Sequence, residues 1–83
     1  MFLNKAPDGK NNVSGKQIAK FRKELGMSQR QLADALQILG LDVDKNAIQR
    51  IESGQRFVTD IELIYISSAL KKSVDQLLDI SAH

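Results

Sequence analysis

Residues 27–54, MSQRQLADALQILGLDVDKNAIQRIESG, contain the start signals of two consecutive helices. Ser28 and Gln31 have the spacing of a capping box, in which the two side chains satisfy each other's backbone N–H groups. Asp44 is a favoured N-cap residue ahead of the second apolar run. The spacing predicts helices over residues 29–39 and 45–53.

The two faces of the second predicted helix differ in character. At about 100° per residue, Ala47, Ile48 and Ile51 share one side, which belongs in a core. The opposite side carries hydrogen-bond donors and two cations: Lys45, Asn46, Gln49, Arg50 and Ser53. Taken by itself, this polar face is either ordinary solvated surface or a surface that binds an anionic partner.

The capping-box spacing recurs in three other places along the chain. It pairs Ser14 with Gln17, Thr59 with Glu62, and Ser73 with Gln76. Each pair marks a helix N-terminus, and no β-alternation longer than a few residues competes. We therefore predict an all-α fold, a compact five-helix bundle, whose other helices lie near residues 15–25, 60–70 and 74–79.

Residues 1–12 contain three asparagines, a Pro-Asp-Gly turn signal and few apolar side chains. Such a segment has little to bury, so we predict a flexible N-terminal arm. The helical domain is expected over residues 13–80, followed by a short C-terminal tail over 81–83.

Composition argues against several classes of function. The 83 residues make one small domain without cysteine, and its single histidine is the terminal His83. No catalytic base, phosphate-cradling glycine pattern or metal-ligand spacing is present, so we expect no enzyme activity, no cofactor, no metal and no small-molecule ligand. With neither a secretion-signal pattern nor an apolar run of the ~18 residues that span a bilayer, the expectation is a cytoplasmic protein without membrane contact.

Charge is distributed unevenly along the chain. Residues 1–30 carry seven basic and two acidic side chains, whereas the whole protein has a net charge of only +2. This basic end is a candidate surface for phosphate. A solvated lysine-rich helix explains the same charges without any partner.

The predicted fourth helix is apolar almost all round. Ile61, Ile64 and Tyr65 lie on one side, and Leu63 with Ile66 on the other. Such a helix must be covered on both sides. The cover is either the centre of the bundle itself or a second copy of the protein.

Three segments carry a resemblance to a known family: FRKELGMSQRQLADAL, VDKNAIQRIESGQR and IYISSALKKSVDQLL. Together they resemble the Cro and phage-repressor type of helix-turn-helix domain, the XRE-like family. The likeness covers roughly residues 14 to 79. It implies that the second and third helices form the helix-turn-helix, with the third helix in the DNA major groove.

The resemblance also implies roles for particular side chains. The third helix would present its donor face to base edges, because Lys and Arg donate to guanine and the amides of Asn and Gln pair with adenine. Gln29, Arg30 and Arg56 would hold phosphate. Arg22 and Glu52 match positions where the family often has a structural salt bridge. The expected DNA-binding residues are Gln29, Arg30, Lys45, Asn46, Gln49, Arg50 and Arg56.

One departure from the shortest family pattern lies between the second and third helices, where this chain is longer. We expect residues 36–39 to prolong the second helix, Gly40 to cap it, and residues 41–43 to connect it to the third. Asp42 has no evident structural role there and would repel phosphate if it faced the DNA.

The function expected from these features is that of a sequence-specific regulator of transcription. It would bind double-stranded DNA as a homodimer and act as a repressor or autoregulatory controller. The alternative is a protein-interaction module on the same fold, such as an antirepressor or an antitoxin-like partner. Salt distinguishes the two, because DNA binding through phosphates weakens steeply with ionic strength.

Overall fold

Five helices follow one another in the computed structural model, which describes residues 9–78. They are α1 (Gly15–Glu24), α2 (Gln29–Leu39), α3 (Lys45–Glu52), α4 (Asp60–Leu70) and α5 (Val74–Leu78). The predicted all-α five-helix architecture is confirmed, and the predicted helix bounds differ by at most one residue. Residues 1–8 of the predicted arm, and the predicted tail with His83, lie outside the described residues.

Capping boxes begin α2 and α4 as the spacing predicts. The Ser28 hydroxyl accepts from the Gln31 backbone N–H at 3.0 Å, and Gln31 Oε1 accepts from the Ser28 N–H at 2.8 Å. Thr59 and Glu62 make the same reciprocal pair at α4, and Ser73 and Gln76 make it ahead of α5. These starts are therefore fixed by local chemistry.

The capping box predicted at Ser14 is wrong. Ser14 is buried in a helical conformation (φ −94°, ψ −14°), and its side chain makes no capping bond. Asn12 caps the helix instead, because its Oδ1 accepts from the Gly15 N–H at 2.8 Å. Gln17, the expected partner of Ser14, donates to the Gln76 carbonyl at 3.4 Å.

The core lies where the apolar faces of the helices meet. Ile18, Leu36 and Ile48 are fully buried, one each from α1, α2 and α3. Ile66 and Leu77 complete it from α4 and α5. Since α3 packs against both α1 and α2, its apolar face is fixed and its opposite face points to solvent.

The connection from α2 to α3 follows the expectation. α2 continues to Leu39, and Gly40 ends it in the left-handed conformation at φ +106°, which glycine adopts without strain. Gln37 Nε2 then donates to the Val43 carbonyl at 2.7 Å, and Val43 is buried. The lengthened connection is thus held in place in two ways, by the Gln37 side chain of α2 and by the burial of Val43 in the core.

Residues 9–78 leave one face of α4 uncovered. Leu63, Ile66 and Leu70 are buried, whereas Ile61 and Ile64 are 62% and 60% exposed. The described bundle therefore covers one side of this helix and leaves apolar side chains exposed on the other.

Membrane-spanning helices and clusters of metal ligands are both absent from the described part of the chain. No helix between residues 9 and 78 is long and apolar enough to cross a bilayer. Nor does any group of three His, Cys, Asp or Glu side chains in that range stand close enough to hold a metal ion.

Candidate nucleic-acid interface

The reading face of α3, which we define as Lys45, Asn46, Gln49 and Arg50, projects from a rigidly held helix. Asp44 caps α3 through a 2.8 Å bond from the Ala47 N–H to its carboxylate. Ala47, Ile48 and Ile51 are buried on the core side. The reading face is exposed at all four positions. Arg50 Nε donates to the Asn46 carbonyl at 3.4 Å, and the remaining side-chain donors face solvent, where a partner can reach them.

An open concavity lies along this face. It is lined by Asn46, Gln49, Arg50, Ser53 and Gln55. Gln55 was not among the residues expected from the sequence. It follows Gly54, whose φ of +83° turns the chain back alongside α3, and nothing in the local pattern predicts where that turn places the next side chain.

The N-terminus of α2 supplies the second group of candidates. Arg30 is exposed on the first turn, where backbone N–H groups also face solvent and favour an anion. Gln29 is half-buried, and its Nε2 donates to Glu52 Oε1 at 3.0 Å. The structure therefore ties Gln29 to the end of α3 rather than leaving it free on the surface.

Arg22 and Glu52 lie together between α1 and α3. Arg22 donates to both Glu52 carboxylate oxygens, at 2.6 and 3.0 Å, and to the Met27 carbonyl at 2.7 Å. Their side chains are only 9% and 8% exposed. This buried bidentate pair joins α1, α3 and the turn before α2, while Gln29 occupies a further lone pair of the same carboxylate.

Arg56 lies beyond the end of α3 and is paired with an acid. Its guanidinium donates to both Glu62 oxygens, at 3.1 and 2.8 Å. Burial by itself raises the pKa of Glu62, but the Arg56 bonds and charge, with the Thr59 backbone and hydroxyl bonds, outweigh it and hold that pKa below its ordinary value. A phosphate at Arg56 would compete with this carboxylate.

The lowered pKa gives a prediction about acid stability. Because the folded state holds Glu62 ionised, the pair stabilises the fold above the unfolded pKa of Glu62 and loses this effect as pH falls through the folded value. The thermal midpoint of wild type should exceed that of Glu62→Gln at pH 7, and the gap should shrink in acid. A gap that stays constant from pH 7 to pH 3 would contradict this account of the pair.

Two acids lie near the start of the reading face. The Asp44 carboxylate is occupied by its capping bond. Asp42 is exposed and lines a shallow surface hollow with Gln37, Gly40 and Leu41. Asp42 therefore adds negative charge beside α3 without the capping role that Asp44 has.

The chain is similar to known helix-turn-helix proteins. A family model described as helix-turn-helix matches residues 18–77. The controller protein C.AhdI of restriction–modification in Aeromonas hydrophila is 25% identical, with a TM-score of 0.69 over 78% of this chain and 91% of its own. The clp gene regulator ClgR of Corynebacterium glutamicum is 27% identical, with a TM-score of 0.72 over 86% of each chain. No curated protein matches the sequence.

The matched region takes in α2 and α3 with its reading face, together with most of the core. Both solved relatives are regulators by their descriptions. The chain therefore belongs to the XRE-type helix-turn-helix family of DNA-binding transcriptional regulators.

Proposed function

We propose that this regulator reads double-stranded DNA with the reading face of α3 in the major groove. The observation that carries the proposal is the row of four exposed donor side chains on a helix whose other face is locked into the core. Arg50 and Lys45 suit guanine O6 and N7, while Asn46 and Gln49 suit adenine N6 and N7.

Phosphate contacts would come from the flanks of this face. Arg30 and the free N–H groups at the start of α2 suit one strand, with Gln29 beside them. Arg56 would bind phosphate with the N–H groups that do not face Glu62, so its contribution should be smaller than that of Arg30. Such contacts fix the position of the protein without reading sequence.

A homodimer is the second part of the proposal. Phe57, Ile61 and Ile64, which we call the α4 patch, are each more than half exposed. One reading helix of this size buries too little surface for tight binding, whereas a two-fold pair joins two half-sites about 34 Å apart. A second copy on the α4 patch would cover its apolar side chains and create that pair.

The biological role that fits is a cytoplasmic repressor or autoregulatory controller. The similarity to C.AhdI, a restriction–modification controller, favours this class, since that relative is matched over nearly its whole length. DNA held by a dimer across a promoter excludes other proteins from the same groove, which is the simplest route from binding to regulation.

Two substitutions distinguish a side chain that recognises bases from one that binds phosphate. Asn46→Ala should cost about 1–3 kcal/mol on the preferred duplex and little on random DNA, because an amide discriminates bases. Arg30→Ala should weaken both duplexes alike and reduce the salt slope by about one, because it neutralises one phosphate. Both variants are titrated on both duplexes at several salt concentrations. If Asn46→Ala binds the preferred duplex like wild type, α3 does not enter the groove as proposed.

The competing function is a protein-interaction module in which the α4 patch meets a different protein. The exposed Phe57, Ile61 and Ile64 side chains are the observation that favours it. An apolar contact changes little with salt, whereas binding through Z phosphates follows a slope of about −0.9Z. Failure of the purified protein to retain any duplex at low salt would favour this alternative.

A further inference from the structure

The segment before α1 is hydrogen-bonded to the end of α3 and to the loop that follows it. The Asn12 Nδ2 group donates to the Ile51 carbonyl at 3.0 Å and to the Arg56 carbonyl at 2.7 Å. Asn11 reaches the same loop, with its backbone N–H on the Gly54 carbonyl and its Nδ2 on the Gln55 carbonyl, each at 2.8 Å. These two residues were expected to end the flexible arm, yet they donate to one carbonyl at the end of α3 and to three consecutive carbonyls, of residues 54–56, in the α3–α4 loop.

The loop that Asn11 and Asn12 hold borders the reading face. Gln55 lines the same concavity as Gln49 and Arg50, and the next residue is Arg56. The loop N–H groups of residues 55 and 56 both bond to the Arg50 carbonyl, so α3 holds the loop from one side. Asn11 and Asn12 hold its carbonyls from the other.

We propose that Asn12 is a positioning residue for DNA binding, which fixes the α3–α4 loop so that Gln55 contacts DNA phosphate beside the reading face. The inference rests on the proposed function, because it assumes that α3 lies in the groove. Gln55 lies past the C-terminal end of α3, where a helix inserted by its N-terminal half rises toward the backbone. A side-chain amide there can donate to phosphate but adds no charge.

The hydrogen bonds of Asn12 distinguish the positioning of the loop from the capping of α1. The Asn12 side chain accepts from the Gly15 N–H with its oxygen and donates its NH2 group to the Ile51 carbonyl of α3 and the Arg56 carbonyl of the loop. Asn12→Ser retains an oxygen that can accept at the start of α1, but it loses the NH2 group that spans the Ile51 and Arg56 carbonyls. The substitution is neutral, so it does not alter attraction to phosphate through charge.

The test is a double-mutant cycle between Asn12→Ser and Gln55→Ala on a random-sequence duplex of about two helical turns. In wild type, Gln55→Ala should weaken binding roughly threefold to tenfold, the loss of one phosphate contact. In the Asn12→Ser background the same change should weaken binding little further, because the loop no longer holds Gln55 where it can contact phosphate. All variants are compared at a temperature where circular dichroism shows them folded.

A matched control and a second variant complete the design. Gln17→Ala removes another long-range side-chain bond, to the Gln76 carbonyl on α5, and should leave DNA binding unchanged. If Asn12→Ser does not fold, Asn11→Ala replaces it in the cycle, because it loses only the bond to the Gln55 carbonyl. Its coupling with Gln55→Ala should have the same sign and a smaller size.

The outcomes distinguish this inference from the function on which it rests. Additive effects of Asn12→Ser and Gln55→Ala, or normal binding by both, overturn the positioning role while DNA binding stands. A wild-type protein that does not retain the duplex at low salt overturns both. A loss of thermal stability in Asn12→Ser with unchanged DNA affinity assigns Asn12 to the fold alone and also overturns the inference.

Discussion

Ile64→Asp should leave the fold intact and lower affinity for a two-half-site duplex on the order of a hundredfold, because it removes dimerisation through the α4 patch. Ile64 is 60% exposed, so a charge at this position should destabilise the monomer little. In a dimer the same carboxylate would be buried against apolar side chains without a partner. Sedimentation velocity and a DNA titration on the same sample measure both effects.

Ile38→Asp is the matched control for this change. Ile38 is the most exposed large apolar side chain among residues 9–78, at 85%, and it lies near the end of α2 rather than on α4. The control adds the same charge and should remain a dimer with nearly normal affinity. A wild type that sediments as a monomer while it saturates its duplex would contradict the dimer.

Arg22→Met should destabilise the fold by roughly 3–5 kcal/mol, because it leaves the buried Glu52 carboxylate without its cation. For a domain of this size each 1 kcal/mol lowers the thermal midpoint by about 4–8 °C, so the shift should exceed roughly 10 °C. The variant also lacks the hydrogen bond from Arg22 to the Met27 carbonyl, which fixes the turn before α2. Thermal unfolding followed by circular dichroism measures the shift.

The double variant Arg22→Met with Glu52→Leu tests whether the unpaired Glu52 carboxylate causes this destabilisation. When both partners are removed, no buried charge is left unpaired, so the double variant should be more stable than Arg22→Met alone. Should Arg22→Met and Glu52→Gln both keep the wild-type midpoint while DNA affinity collapses, the two residues contact DNA and the structural assignment is wrong.

Features encoded within a few residues were predictable from the sequence. The boundaries of α2 and α4 follow from side chains three positions apart, Ser28 with Gln31 and Thr59 with Glu62, whose geometry the helix itself sets. The glycine that ends α2 was predictable for the same reason. The buried and exposed faces of α3 follow from its 3.6-residue period.

Contacts between distant parts of the chain were not predictable in this way. Asn12 caps α1 and reaches carbonyls 39 and 44 residues further on, and no local pattern relates those positions. The pairing of Arg56 with Glu62 depends on the path of a short loop, and so does the place of Gln55 beside the reading face. Ser14 has the residue types of a capping box, but burial and a helical backbone remove it from that role.

Methylation interference on a duplex selected from a random pool tests most directly whether α3 reads the major groove. One reagent methylates guanine N7 in the major groove and adenine N3 in the minor groove, so each duplex contains its own control. We predict interference at guanine N7 in two inverted half-sites whose centres lie about 34 Å apart. Interference confined to adenine N3, or selection that recovers no preferred sequence, would contradict the account.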